Sequence, residues 1–176
     1  MKKGYRATTV EEIARHAGLT KGALYFHFES KEDILFNLVK SISERHDVAI
    51  RNAIRPGMSP SEFFRMAGHA AHRCDLADYS DLIEIWIQAI KIPRIKRYIA
   101  RWLRTLVDVW ETHVDSKYAT DRKSLRDLGV LTFGLVDGLS IFRIISPGLV
   151  DVEAQNRLVR ECFDVPHRRR KAARHK

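Results

Sequence analysis

The side chains best suited to intermolecular chemistry lie in one short run. Thr20-Lys21-Gly22-Ala23 is followed closely by Tyr25, His27 and Lys31, which brings hydroxyl, ammonium, phenol and imidazole groups together. Groups of this kind donate hydrogen bonds to phosphate oxygens and to the acceptor edges of bases. Lys21 can donate to guanine, and the methyl groups of Thr20 and Ala23 can pack on a thymine methyl. Gly22 and Ala23 add almost no bulk, so the backbone beside them can come close to a base edge. Tyr25, His27 and Lys31 suit phosphate, a contact that sets register and affinity rather than sequence choice. His27 taken alone reads as a solvated or core-edge histidine, and its neighbours give it the phosphate role.

The elements that must position these groups are legible around them. Thr8 with Glu11, or Thr9 with Glu12, forms a capping box opening a first helix, which Ala17-Gly18 ends. Gly18 suits the positive φ of a tight turn. Thr20 caps a second helix, and Ser30, followed by Lys31-Glu32-Asp33, caps a long third. Val10, Ile13 and Ala14 face Leu24 and Phe28 across the first two helices. This is the layout of a helix-turn-helix, whose second helix enters the DNA major groove. A lone helical hairpin with a Gly turn is ordinary packing. Tyr25, His27, Phe28, Ser30 and Lys31 in register behind it turn the reading toward DNA.

Gly4-Tyr5, Thr8-Thr9-Val10, Ile13-Ala14, Ala17-Gly18, Lys21-Gly22, Leu24-Tyr25, His27-Phe28 and Ser30-Lys31-Glu32 resemble the signature of the tetracycline-repressor (TetR) family. The match runs from Gly4 to Leu35 almost without a gap. The resemblance implies a DNA-contacting set of Thr9, Thr20, Lys21, Gly22, Ala23, Tyr25, His27 and Lys31, with Thr9 on a phosphate. It also implies a further helix ahead of Gly4-Tyr5, where only three residues stand. Without most of that helix, Ile13, Ile34 and Leu38 are expected to be exposed and DNA affinity to suffer.

The chain has 176 residues, 45% hydrophobic and 30% charged, which fits a soluble globular protein with a real core. No unbroken apolar stretch approaches ~18 residues, so no membrane span is expected. Nor does the opening Met1-Lys2-Lys3-Gly4-Tyr5 leave room for a signal peptide, and Cys74 and Cys162 lack metal-like spacing. A cytoplasmic protein with reduced cysteines is expected. The formal net charge is +9, unevenly spread: +3 over residues 1–55, zero over 56–165 and +6 in the last eleven. A basic patch is the electrostatic footprint of a nucleic-acid binder. The tail HRRRKAARHK by itself reads as a solvated, disordered end.

Helix signals recur through the remainder and strand signals are nearly absent. The long helix from Ser30 has apolar positions Leu35, Leu38, Ile42, Ala49 and Ala53, and Pro56-Gly57 stops it. Ser59-Pro60-Ser61-Glu62 opens another helix. Helices are predicted near 60–76, 79–91, 93–116, 121–146 and 151–164, with Thr120 and Asp151 as caps and a break at Pro147-Gly148. The fold class is all-α: a helix-turn-helix head (1–50), a larger helical body for ligand binding and dimerisation (51–165), and a basic tail (166–176).

In the body, Leu128, Leu131, Leu135, Leu139 and Phe142 are placed on one side of the 121–146 helix, with Gly134 and Gly138 one turn apart. Ala154, Leu158 and Cys162 repeat at four-residue steps on the last helix. Intrachain core is one reading. The family resemblance implies another, a homodimer through Leu131, Gly134, Leu135, Gly138, Leu158 and Cys162, matched to a palindromic operator. The middle helices are rich in large side chains, either plain core or an apolar ligand cavity with a few polar groups. Phe63, Met66, His69, Trp86, Trp102, Phe133 and Asp137 are the candidates for such a cavity. His69 and His72 stand three apart, yet no third ligand accompanies them and no metal or cofactor is expected. Arg94, Arg97, Arg101 and Arg104 form a stripe read as a solvated face.

The leading expectation is a DNA-binding transcriptional regulator, a repressor released from its operator by an unknown small-molecule effector. The alternative is a helical ligand-binding or interaction protein whose DNA binding is impaired. No Gly-rich phosphate loop, nucleophile elbow or metal set favours an enzyme.

Overall fold

Side-chain caps and breakers divide the chain into helices. The computed structural model describes residues 4–73 and 76–166, the side chains of 69–82 and 84 excepted. Cys74 and the tail from 167 onward thus lie outside the described residues, as do the side chains of His69, His72 and Tyr79. In chain order the helices are α1 (Gly4–Ala7), α2 (Val10–His16), α3 (Lys21–His27), α4 (Lys31–Ala53), α5 (Pro60–Arg73), α6 (Leu76–Lys91), α7 (Pro93–His113), α8 (Arg122–Ile145) and α9 (Val152–Phe163). Short 3-10 turns at Ser116–Tyr118 and Pro147–Leu149 flank α8. Among the described residues no strand forms, and the protein is all-α.

The capping chemistry explains where the helices start. Of the two candidate boxes at the head, Thr9 with Glu12 forms: Glu12 N–H donates to Thr9 Oγ1 and Thr9 N–H donates back to Glu12 Oε2. Thr8 is buried instead, its hydroxyl donating to the Gly4 carbonyl. Thr20, Ser30 and Asp151 each accept a backbone N–H in the first turn that follows. Ser59 and Glu62 close a second reciprocal box at α5. The cap of α8 is Asp121 rather than the expected Thr120. A carboxylate is the stronger acceptor for the Ser124 N–H, and Thr120 donates its hydroxyl to that carboxylate.

Three apolar clusters hold the molecule. Val10, Ala14 and Leu24 join α2 to α3, with Ile13, Phe28 and Ile34 packed beside them, as the head pattern implied. Leu35, Val39 and Ile42 of α4 meet Ile85 and Ala89 of α6 and Ile95 and Ile99 of α7. Phe63 and Phe64 of α5, Trp110 of α7, Leu125 and Val136 of α8 and Val159 of α9 form the largest. The inward stripe of α4 therefore runs through Val39, Ser43 and Ile50, whereas Leu38, Ala49 and Ala53 are exposed. Leu38 and Val39 are adjacent apolar residues, and the partner helices decide which of them turns inward.

Two features bear on function. First, α4 passes unbroken through residue 50, so it belongs to head and body together. At its far end the loop to α5 is pinned to the end of α7, Met58 N–H donating to His113 O and Asp115 N–H to Met58 O, both at 3.0 Å. Second, α8 carries apolar groups on two faces. Leu128 and Leu139 pack on the core, while Leu131, Leu135 and Phe142 are exposed, so the expected single-sided stripe is split. That double character gives α8 an 18-residue window of mean hydropathy 1.8, long and apolar enough by composition to cross a membrane, contrary to expectation. Short unbroken runs concealed it, because Thr, Gly and Asp137 interrupt the apolar residues without much charge.

Candidate nucleic-acid interface and cavity

The head presents α3 to solvent. Gly18 takes φ +67° in the turn before it, a conformation that glycine adopts without strain. Thr20 Oγ1 accepts the Ala23 N–H at 3.1 Å, which fixes the first turn of α3. Thr20, Lys21, Gly22 and Ala23 follow one another there, and space beside Gly22 is open apart from Thr20 Oγ1 at 3.9 Å. Thr20, Lys21, Gly22, Tyr25 and His27 are all exposed, Ala23 half-buried.

Neither lysine stands alone. Lys21 is paired with Glu11 of α2 and lies 5.8 Å from the Tyr25 ring centroid. The Lys21 hydrogen bond holds the Glu11 carboxyl below its ordinary range, and Glu11 raises the ammonium in turn. Lys31 turns back onto α1, with Nζ donating to the Arg6 carbonyl at 3.2 Å and standing 4.5 Å from the Tyr5 ring centroid. Thr9 spends its hydroxyl and backbone on the α2 cap.

Phe26 escaped the sequence reading. It is 85% exposed and stands edge-on to His27, the ring centroids 5.1 Å apart. It follows Gly22 by four residues and Ala23 by three, so it extends the face on which the small residues lie. The available signal was its type, a large aromatic where the buried seam of α3 takes Leu24 and Phe28.

The body contains a cleft that opens to solvent. Its walls come from five helices: Ile42, Ser43, His46 and Ile50 of α4, Ala67 of α5, Ile85 and Trp86 of α6, Ile99, Trp102, Leu103 and Leu106 of α7, and Phe133, Val136 and Asp137 of α8. Trp86, Trp102, Phe133 and Asp137 are thus brought together as ligand candidates. Phe63 and Met66 are not on the cleft wall. Phe63 is fully buried edge-to-face against Trp110 and Phe133, and Met66 packs beside that cluster. Ser43 and His46 join the wall without any spacing signal in the sequence, because the helices opposite them come from distant parts of the chain. Trp102 is fixed by its Nε1–H, which donates to Asp47 Oδ1 at 2.8 Å.

Head and cleft are tied by the start of α7. Arg94 pairs with Asp33 of α4 at 2.8 Å and lies 3.9 Å over the Phe36 ring centroid. One member of the arginine stripe is therefore an intramolecular tie.

The exposed apolar residues of α8 and α9 form a further surface. Leu131 (59% exposed), Leu135, Phe142 (53%) and Leu158 are uncovered, as is Cys162. Apart from the neighbouring residues and the local backbone of α8, no heavy atom comes within 4 Å of a Cβ built on Gly134 or Gly138.

Residues 1–38 match the profile described as bacterial regulatory proteins, tetR family. The head is that of the tetR family. The body behind this tetR-type head follows the same architecture as solved regulators. A transcriptional regulator from Rhodococcus sp. Rha1 superposes with TM-score 0.70 at 19% identity, covering 91% of this chain and 89% of that one. A transcriptional regulator from Saccharomonospora viridis, solved in complex with choline, gives 0.63 at 18% identity over 93% and 88%. By sequence, the uncharacterized HTH-type transcriptional regulator YerO of Bacillus subtilis is 27% identical over 179 residues, 93% of this chain. The chain spans 58% of YerO's length.

Proposed function

We propose that this tetR-type chain is a homodimeric repressor that binds an operator in double-stranded DNA through α2 and α3 and leaves it when a small molecule fills the body cleft. The observation that carries the proposal is the double use of α4. Its N-terminal end supports α3, and Ile42, Ser43, His46 and Ile50 of the same helix wall the cleft. A ligand that favours one position of α4 over another shifts the head with it, and equal affinity for both positions shifts nothing.

In this reading α3 supplies sequence choice through Lys21, Gly22 and Ala23, while Thr9, Thr20, Tyr25, His27 and Lys31 supply phosphate contacts. The α8–α9 face is the dimer surface. Apolar residues left uncovered in one protomer meet their copies, and Gly134 and Gly138 let the helices approach closely. Two-fold pairing doubles the contacts and sets the two α3 helices roughly 34–36 Å apart, or a multiple, to match a palindrome. The cytoplasm is the compartment that such a role requires.

A second reading has its own support. Lys21 is engaged by Glu11 and Lys31 by α1, so a protein that binds ligands but not DNA is the competitor. A mobility-shift assay on genomic fragments at fixed salt separates the two. The repressor reading expects saturable shifts that survive competitor DNA, and Lys21→Ala is expected to weaken them and change the preferred sequence. Shifts that random DNA abolishes at equal concentration overturn it.

A further inference from the structure

We infer that Lys21 and Glu11 read one G·C base pair as a unit, the ammonium on guanine and the carboxylate on cytosine. This rests on α3 entering the major groove, as proposed above, and it adds Glu11 of α2 as a specificity-determining residue. The two side chains pair across the turn, Lys21 at the first position of α3 and Glu11 at the second of α2. Both stay more than half exposed, at 53% and 57%, so the pair stands at the surface and can meet a base edge. The α2 cap does not use Glu11, because Glu12 closes the box with Thr9. Gly22, next to Lys21, adds no side chain beside the pair.

The order of donors and acceptors selects the base pair. An ammonium has three N–H groups, and with one given to Glu11 two are left. An ionised carboxylate only accepts. The pair therefore offers two donors beside one acceptor. Across the major groove a G·C pair presents guanine N7 and O6, two acceptors, and then the cytosine N4 amino donor. An A·T pair presents an acceptor, a donor and an acceptor, so one ammonium proton meets a donor and the carboxylate faces another acceptor. A carboxylate near phosphates is repelled unless an amino group receives it. Glu11 thus penalises the wrong base as well as bonding the right one. The Lys21 hydrogen bond holds the Glu11 carboxyl below its ordinary range, which keeps it ionised at neutral pH. An ion pair already formed also loses little further side-chain freedom on binding. The pairing of Lys21 with Glu11 is then part of the reading face rather than an obstacle to it.

The test begins with selection from a random duplex library by the whole chain at fixed salt, followed by affinity measurements on the selected half-site. One G·C pair in each half-site is expected to be preferred over the other three pairs by at least about tenfold. Two analogues probe it: 7-deazaguanine lacks the N7 acceptor, and N4-methylcytosine carries a methyl in place of the N–H exposed in the groove. Each should weaken binding by about fivefold or more. Glu11→Gln should narrow the preference at that pair to about threefold or less, leave the other positions unchanged and tighten binding to random DNA. Lys21→Ala should alter preference at the same pair. A carboxylate that serves packing alone would change affinity uniformly across sequences. An unaltered preference in Glu11→Gln therefore overturns the inference, as do different positions answering to Glu11 and Lys21. The analogues need only the unaltered protein, so a variant that fails to fold leaves the test standing, and either analogue binding like its parent base overturns the inference. A selected half-site with no such G·C pair overturns it too, while leaving the operator reading in place. Selection of no sequence above the random pool overturns the operator reading itself.

Discussion

The three glycines of α8 should respond to the same substitution in opposite directions. In a helix interior Gly→Ala is favourable by about 0.8–1.0 kcal/mol, because alanine loses less backbone freedom on folding. At Gly129 a Cβ would stand 2.7 Å from Trp110 Cδ1 and 2.8 Å from its Cγ. The ring cannot give way easily. Trp110 is fully buried, Phe63 abuts it with centroids 4.9 Å apart, and its Nε1–H donates to the Leu125 carbonyl at 2.8 Å. Overpacking of this kind costs about 1–3 kcal/mol, and straining the buried hydrogen bond adds about 1 kcal/mol. After the helix gain is subtracted, Gly129→Ala is expected to destabilise by about 1–3 kcal/mol, lowering Tm by about 2–12 °C in a chain of this size. At Gly134 and Gly138 the Cβ meets nothing, so alanine there should stabilise an isolated protomer by up to about 1 kcal/mol. Urea unfolding of each variant, at a concentration where sedimentation reports monomer, gives the sign directly. Gly129→Ala melting at or above the parent would refute the packing argument. The larger Gly138→Leu should dissociate the dimer and abolish operator binding without unfolding the protomer, and an intact dimer in that variant places the interface elsewhere.

Four further outcomes are expected. Lys21→Ala should lower affinity for one operator base by about tenfold or more and change sequence preference there, as read by competition among single-base operator variants. Phe26→Ala should reduce discrimination for a thymine-containing step while leaving the salt dependence of binding unchanged, since it removes an apolar contact and no charge. Arg94→Ala should leave ligand-induced tryptophan changes intact but weaken the effect of ligand on operator affinity, because the tie between α7 and Asp33 is gone. Acid stability should depend on Glu62. The Ser59 N–H bond, followed by Arg55, holds its folded pKa below the ordinary 4.5. The stabilisation is therefore complete above that value and lost as pH falls through the lower folded one. Glu62→Gln should flatten the fall in urea midpoint between about pH 5 and about pH 3.

Much of the head was legible because its signals are local. A cap such as Thr20 or Ser59 acts within one turn, Gly18 meets the φ demand of its own turn, and the seam of Val10, Ala14 and Leu24 connects neighbouring helices. What escaped depends on distant chain segments. Which of Leu38 and Val39 turns inward is decided by Ile95 and Ile99 far along the chain. Ser43 and His46 become wall residues only when α6, α7 and α8 stand opposite them. The pairing of Lys21 with Glu11 requires the angle between α2 and α3, which no spacing rule supplies. Phe63 and Met66 have the composition of a ligand pocket, yet Trp110 and α9 close around their cluster and fill the space.

The two ends of α4 are held by different kinds of contact, and a long helix held in this way can work as a lever. At the Ile54 end the chain is held by paired backbone bonds between Met58 and the end of α7, beside the buried Met58 and Val114 side chains. Toward the other end Leu35 and Val39 are buried against Ile95 and Ile99, and Arg94 adds a partly exposed ion pair with Asp33, the kind of contact that solvent weakens most. In the repressor reading proposed above, α4 would pivot about the backbone-bonded end and carry the head with it. With a rise of about 1.5 Å per residue, His46 is roughly 12 Å from that fulcrum and Lys31 roughly 35 Å. A displacement of about 1 Å at the cleft wall becomes roughly 3 Å beneath α3, as much as the full length of a hydrogen bond. In the repressor reading proposed above, an effector would need to widen the cleft by less than the diameter of a methyl group to take the reading face out of bonding range of its bases.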